Sequence, residues 1–187
     1  MVWHMRCGYA MLSLVMWRIL WGFVGGYWSR FSSFISTPLQ AWRYAYQPLA
    51  QAPPAVGHNP LGAWSVLAML SCLGLQAGSG LFSDDQISTN GPLTALVSNV
   101  WVELATQWHT GPGKWALFAL VFLHLGSIYW YLRVRRIDLL RPMLTGDKIL
   151  ENRALDSKDN KASRLLAGVL LLFCALAVGA LVRSGQL

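Results

Sequence analysis

The stretch Trp115-Ala-Leu-Phe-Ala-Leu-Val-Phe-Leu-His-Leu-Gly-Ser-Ile-Tyr-Trp-Tyr-Leu132 decides the fold. It contains no Asp, Glu, Lys or Arg, and its one ionisable group of another kind is His124, apart from two tyrosines. About 20 apolar residues in a helix cross the roughly 30 Å of bilayer hydrocarbon. In that medium only a helix or a closed barrel satisfies its own backbone groups. The stretch therefore reads as the heart of a membrane-crossing helix over about 108–132.

Three further stretches read the same way. The first span covers about 3–26 and carries Arg18 as its one deep charge. The second covers about 61–82, within a charge-free stretch from Tyr44 to Ser83. The fourth covers about 163–183 and is charge-free from Leu165 to Val182. The expected fold is an all-α membrane protein in which four transmembrane helices form an up-down bundle. Residues 1–148 hold the first three spans, and 149–187 hold a basic linker and the C-terminal span.

Composition supports this. Of the 187 residues, 55% are hydrophobic and only 12% charged. A soluble domain carries about 25% charged residues, so a water-facing globule is excluded, as is intrinsic disorder. The N-terminal apolar stretch has no small-residue cleavage site, so it reads as a span and not a cleavable leader. Cys7, Cys72 and Cys174 are scattered, with no C-x-x-C and no C-x-x-C-H. That excludes a zinc ribbon, a thioredoxin site and covalent haem attachment; buried small hydrophobes are the plain expectation.

Direction follows from the connections. Residues 27–60 contain Arg30 and Arg43 and no acid, whereas 83–107 contain Asp84, Asp85 and Glu103 and no base. Residues 133–164 contain nine bases, among them Arg153 and Lys158, against five acids. Basic loops stay cytoplasmic and acids count little, so both chain termini are expected on the outer, periplasmic side of a bacterial inner membrane. The net charge of +7 is thus a topology and lipid signal, and no nucleic-acid partner is expected. In 27–60, Trp28, Phe31, Phe34, Trp42, Tyr44 and Tyr46 alternate with polar residues. That pattern suits a segment lying in the membrane interface. Pro48, Pro53 and Pro54 end it, and Gly57-His58-Asn59-Pro60 turns the chain into the second span.

Ionisable groups inside a membrane are costly and mark function by default. His4 lies at the outer end of the first span and His109 at the outer end of the third. The two spans run the same way, so the rings share a depth and could clamp one planar haem between them. His124 lies 15 residues beyond His109, about 22 Å deeper and about 60° around the helix. Arg18, 14 residues past His4, is about 21 Å deeper and reaches the level of His124. No acid lies in any span, so a haem propionate is its natural partner. Taken singly, His4 and His109 also suit interfacial hydrogen bonding, His58 a turn or cap, and Arg18 snorkelling. The stretch Thr110-Gly111-Pro112-Gly113 after His109 is looser than a helical run.

Several short motifs, in order, resemble the bacterial cytochrome b-561 family, which includes the b-type cytochrome subunit of nickel–iron hydrogenases. They are His4-x-x-x-Gly8-Tyr9; Arg18-x-x-Trp21-Gly22-Phe23-Val24-Gly25; Arg30-Phe31-Ser32-Ser33-Phe34; and Gly57-His58-Asn59-Pro60-Leu61-Gly62. Gly80-Leu81-Phe82, Asp84-Asp85, Gly91-Pro92-Leu93, His109, His124 and Leu140-Arg141-Pro142-Met143-Leu144-Thr145-Gly146 complete the set, covering about 3–148. The family's first helix, with its own haem ligand, has no counterpart here.

The resemblance implies a respiratory-chain electron carrier with one or two non-covalent b haems. His4 and His109 would ligate the outer haem and His124 the inner one, with Arg18 on its propionate. It implies electron passage between a periplasmic partner, a c-type cytochrome or a dehydrogenase or hydrogenase, and the quinone pool. A further subunit could supply the missing helix and ligand. The acidic loop with Asp84, Asp85 and Glu103 could dock a basic partner, although a solvated loop explains it as well. The competing reading is a cofactor-free membrane anchor or assembly subunit of a larger complex. No catalytic nucleophile–base pair is present, so the chain reads as an electron-transfer subunit and not a stand-alone enzyme.

Overall fold

The structure is a computed structural model that describes residues 1–47, 56–148, 155–157 and 159–185. Helix α1 runs Val2–Val24 and ends at Gly25, whose N–H returns to the Trp21 carbonyl at 2.9 Å. A short turn at Tyr27–Ser29 leads into α2 (Phe31–Phe34) and α3 (Pro38–Tyr46). A capping box starts α3: Gln40 N–H donates to Thr37 Oγ1 at 3.3 Å and Thr37 N–H donates to Gln40 Oε1 at 3.0 Å. This pairing satisfies two donors that a helix start leaves free. Ala41 is buried while Trp42 and Tyr46 point outward, the asymmetry expected of an interfacial helix. Pro48, Pro53 and Pro54 lie outside the described residues.

Helix α4 (Pro60–Gly80) starts with Asn59 as cap, its Oδ1 accepting the Gly62 N–H at 2.7 Å, and with Pro60 in its first turn. There the missing proline N–H costs nothing. Helices α5 (Asn99–Thr110) and α6 (Pro112–Arg133) follow, then α7 (Leu140–Thr145) and α8 (Lys161–Ser184). Among the described residues four stretches are long and apolar enough to cross a membrane: Val2–Val24, Pro60–Gly80, Asn99–Arg133 and Lys161–Ser184. The fold is the expected all-α, four-span membrane bundle. Arg153 and Lys158 of the basic linker lie outside the described residues.

The third span differs from its expected extent of about 108–132. Helix begins at Asn99 and breaks at Gly111, which has φ −110° and ψ −109°. Apolar content drew the expected boundary at the membrane, whereas helicity continues through Glu103 and Gln107, which pair at 3.1 Å one turn apart. Such i,i+4 contacts support a helix outside hydrocarbon. Cys7 also differs: it is exposed on α1, whereas Cys72 and Cys174 are buried as expected.

The packing runs as a row, α8 on α1, α1 on α4, and α4 on α6. Trp17 Nε1 donates to the Ala167 carbonyl at 2.9 Å across the α1–α8 seam, where Cys174 is completely buried. On one side of the row the start of α1, the end of α4 and His109 come together, and Gly185 abuts the Pro92 carbonyl. On the other side Asn59 Nδ2 donates to Tyr131 Oη at 2.6 Å, and Trp28 Nε1 donates to the Leu155 carbonyl at 2.6 Å. The spans therefore alternate in direction, and Met1 and Gly185 share a side.

At the far side of α1, Gly22 has no Cβ where the Phe31 ring lies against it. On the first side, the loop after α4 buries Leu81 and Leu93. Asp85 Oδ1 accepts the N–H groups of Ser88 (2.8 Å), Thr89 (2.8 Å) and Ile87 (2.9 Å). These bonds hold its carboxyl down at about 2.

Two outcomes are expected. Gly22→Val drives Phe31 off α1 and costs about 1–3 kcal/mol by overpacking, read as a lower thermal midpoint in detergent. For Asp85 the folded value lies below the unfolded one, so its contribution is complete above the ordinary value of 3.8 and is lost as pH falls through about 2. Amide exchange at Ile87, Ser88 and Thr89, corrected for intrinsic rates, should accelerate between those limits, and Asp85→Asn should remove that step.

Candidate haem-binding site

The structure brings two of the expected ligands together. His4 from the first turn of α1 and His109 from the last turn of α5 have ring centroids 5.8 Å apart, with planes at 79°. An imidazole nitrogen sits about 2 Å from the metal it binds, so two rings on opposite sides of one metal have centres about 6 Å apart. The pair matches that spacing. His4 is exposed and His109 half-buried, so one ring lines the edge of the site and the other its wall.

The wall comes from α4. Gln76 Nε2 donates to the His109 carbonyl at 2.8 Å, and His109 Nδ1 lies 2.9 Å from the Gln76 carbonyl oxygen. A carbonyl only accepts, so the proton of neutral His109 sits on Nδ1 and Nε2 keeps its lone pair. That is the tautomer a ligand needs, and metal-binding histidines commonly rest their other ring nitrogen on a carbonyl in this way. Ser79 Oγ donates to the same carbonyl at 3.0 Å and stands 3.4 Å from His109 Nδ1. A Cβ on Gly80 would lie 2.9 Å from His109 Cε1, so only glycine leaves space for the ring. Gln76, Ser79 and Gly80 fall at i, i+3 and i+4, one face of α4. The residues here fit a haem iron held by two histidines.

Deeper in the membrane the arrangement is less complete. The Arg18 guanidinium lies 5.3 Å from the Phe31 ring centre, and its Nη1 is buried without a hydrogen-bond partner. Arg30 Nε is buried and unpartnered too. His58 packs on Phe34 at 4.7 Å. Desolvation first and the nearby Arg18 charge second push its imidazole below the ordinary value. Arg18 and Arg30 make the C-terminal end of α1 positive, and among the described residues no carboxylate pairs with either, Asp159 being bound to Arg164. The Ser127 hydroxyl bonds the His124 carbonyl at 2.8 Å, but the His124 ring meets no second imidazole among the described residues. The residues present fit an anion beside Arg18; they do not complete a two-histidine site at His124.

Sequence reasoning missed Gln76, and it read Gly80 only as part of a family motif and not, with Ser79, as a wall of this site. Gln76 did leave a signal, as the one amide side chain inside a charge-free span, where polar groups are costly. It also missed the partners of the acidic loop. Asp85 is spent on its own loop amides, Asp84 Oδ1 accepts the Gln86 N–H at 2.7 Å, and the Asp84 N–H donates to Thr106 Oγ1 at 3.0 Å.

Residues 1–146 match the family model of the prokaryotic cytochrome b561. No curated protein and no solved structure matches the chain. The matched region takes in α1 to α7 with His4, His109, His124 and Arg18, and leaves α8 outside. With four membrane-crossing helices and a facing pair of imidazoles, the chain belongs to the prokaryotic cytochrome b561 family.

Proposed function

We propose that this chain is a b-type haem electron-transfer subunit of the bacterial inner membrane, passing electrons between a periplasmic redox partner and the quinone pool. Family membership implies membrane electron transfer with b-type haem. The observation that carries the finer reading is the His4–His109 pair at 5.8 Å. When bound, the haem supplies a one-electron ferric–ferrous couple. The chain's residues supply binding, orientation and electrostatics.

His109 presents Nε2 because the Gln76 carbonyl holds the proton on Nδ1, and His4 closes the site from α1. The apolar spans keep water from the centre, which raises the influence of each nearby charge. Arg18, with Nη1 buried and unpartnered, is the residue that would take a propionate. A second haem on His124 would draw its other ligand from a further subunit. With basic loops inside, both chain ends are periplasmic, so the His4–His109 pair faces the periplasm. A c-type cytochrome or a periplasmic dehydrogenase or hydrogenase is the partner class that fits this side.

The test is the optical spectrum and haem stoichiometry of the purified protein. Reduced b-type bands with about one haem per chain support the His4–His109 site, and about two extend it to His124. His4→Ala and His109→Ala should each abolish the outer haem while membrane insertion persists, and His58→Ala should retain it. A parent protein without a Soret band would instead be a cofactor-free anchor. Full haem content in both alanine variants would remove this ligand pair.

A further inference from the structure

The helix break beside His109 gives Gln76 a task beyond filling the bundle. Pro112 has no N–H, so the carbonyl four residues before it lacks its helical donor. The break at Gly111 extends the loss: among the described residues no backbone N–H reaches the His109 carbonyl. Inside a membrane an unsatisfied carbonyl costs several kcal/mol. Gln76 Nε2 fills the vacancy at 2.8 Å from the neighbouring helix. The main-chain carbonyl of Gln76 accepts His109 Nδ1–H at 2.9 Å. Backbone and ring of His109 are thus tied to one residue at two points. Gly113 has no Cβ at the place where Gln76 Oε1 and Trp108 Nε1 converge, so the break itself makes room for the amide.

The geometry points to the Gln76 side chain as a positioning group for electron transfer: by anchoring the His109 backbone it holds the ring against the main-chain carbonyl of residue 76, which sets the ring plane and tautomer and, through them, the electronics of the metal that His109 binds. Gln76 does not touch the metal. The inference rests on the electron-carrier reading. A second-shell acceptor raises the basicity of a ligating imidazole, which favours the ferric state. Loosening the tie should therefore raise the reduction potential.

Gln76→Leu keeps the bulk and the main-chain carbonyl, and removes the side-chain donor that anchors the end of α5 so that the His109 ring can shift off that carbonyl. The expected result is unchanged haem content, altered g-values in the electron paramagnetic resonance spectrum of the ferric protein, and a higher midpoint potential. The rise should match a threefold to tenfold change in the ratio of reduced to oxidised haem, tenfold being about 59 mV for a one-electron couple. Gly80→Ala, which intrudes on the same ring, should move the g-values too. Leu75→Val, on the exposed side of α4, should move neither. In the haem-free protein, imidazole nitrogen shifts should place the His109 proton on Nδ1, with that preference weakened in Gln76→Leu. If Gln76→Leu loses haem, Gln76→Met and Gly80→Ala carry the same comparison. Haem bound with g-values, potential and nitrogen shifts all unmoved would overturn the positioning role and leave the electron-carrier reading standing. A parent protein that binds no haem would overturn both.

Discussion

In hydrocarbon a backbone carbonyl or amide has no water to turn to, and this constraint organises the molecule. It makes each span a helix, and it makes each interruption of a helix an account that side chains must settle. The interruption that matters lies at Gly111-Pro112, one turn from His109. The amide that answers it comes from α4, so the helix carrying His109 is fastened to its neighbour at His109 itself. A continuous helix would leave His109 no reason to be tied there. The bend and the site are one feature.

Polarity elsewhere in the spans follows the same rule. Ser13 bonds the Tyr9 carbonyl at 2.8 Å and Ser79 the Gln76 carbonyl at 3.0 Å, each within its own helix. Trp17 reaches the Ala167 carbonyl on α8. Tyr9 Oη, Ser36 Oγ, Gln76 Oε1 and Trp108 Nε1 stay unpartnered, but the cationic donors without a partner, Arg18 Nη1 and Arg30 Nε, lie toward the C-terminal end of α1. They define where an anion from outside the chain is most welcome. The other end carries the His4–His109 pair, with His109 bonded to α4 through its backbone carbonyl and Nδ1. The two ends of the bundle thus offer different chemistry, a pair of imidazoles on one side and unpartnered guanidinium donors on the other.

Much of this was legible in the residues. Long apolar stretches marked the four spans, three of them charge-free over at least 18 residues, because burial in lipid excludes charge. Equal depth of His4 and His109 followed from two co-directional helices, a matter of counting at 1.5 Å per residue. Arg18 stood out as a lone cation. The start of the third helix at Asn99 was not legible, because hydropathy reports where lipid begins and not where a helix does. The exposure of Cys7 was not legible either, since periodicity in an all-apolar helix gives no face.

By itself, the sequence determined an all-helical membrane protein, its alternating topology and the levels at which its histidines and Arg18 lie, because all of these depend on local periodicity and on solvent exclusion along one axis. Only the tertiary structure decided what stands beside what in the plane of the membrane: α8 against α1, His58 on Phe34, and Gln76 beneath His109. Lateral neighbours are chosen by the shape of side chains and by vacancies such as Gly80 and Gly113, and a residue's place along its own helix carries no record of either.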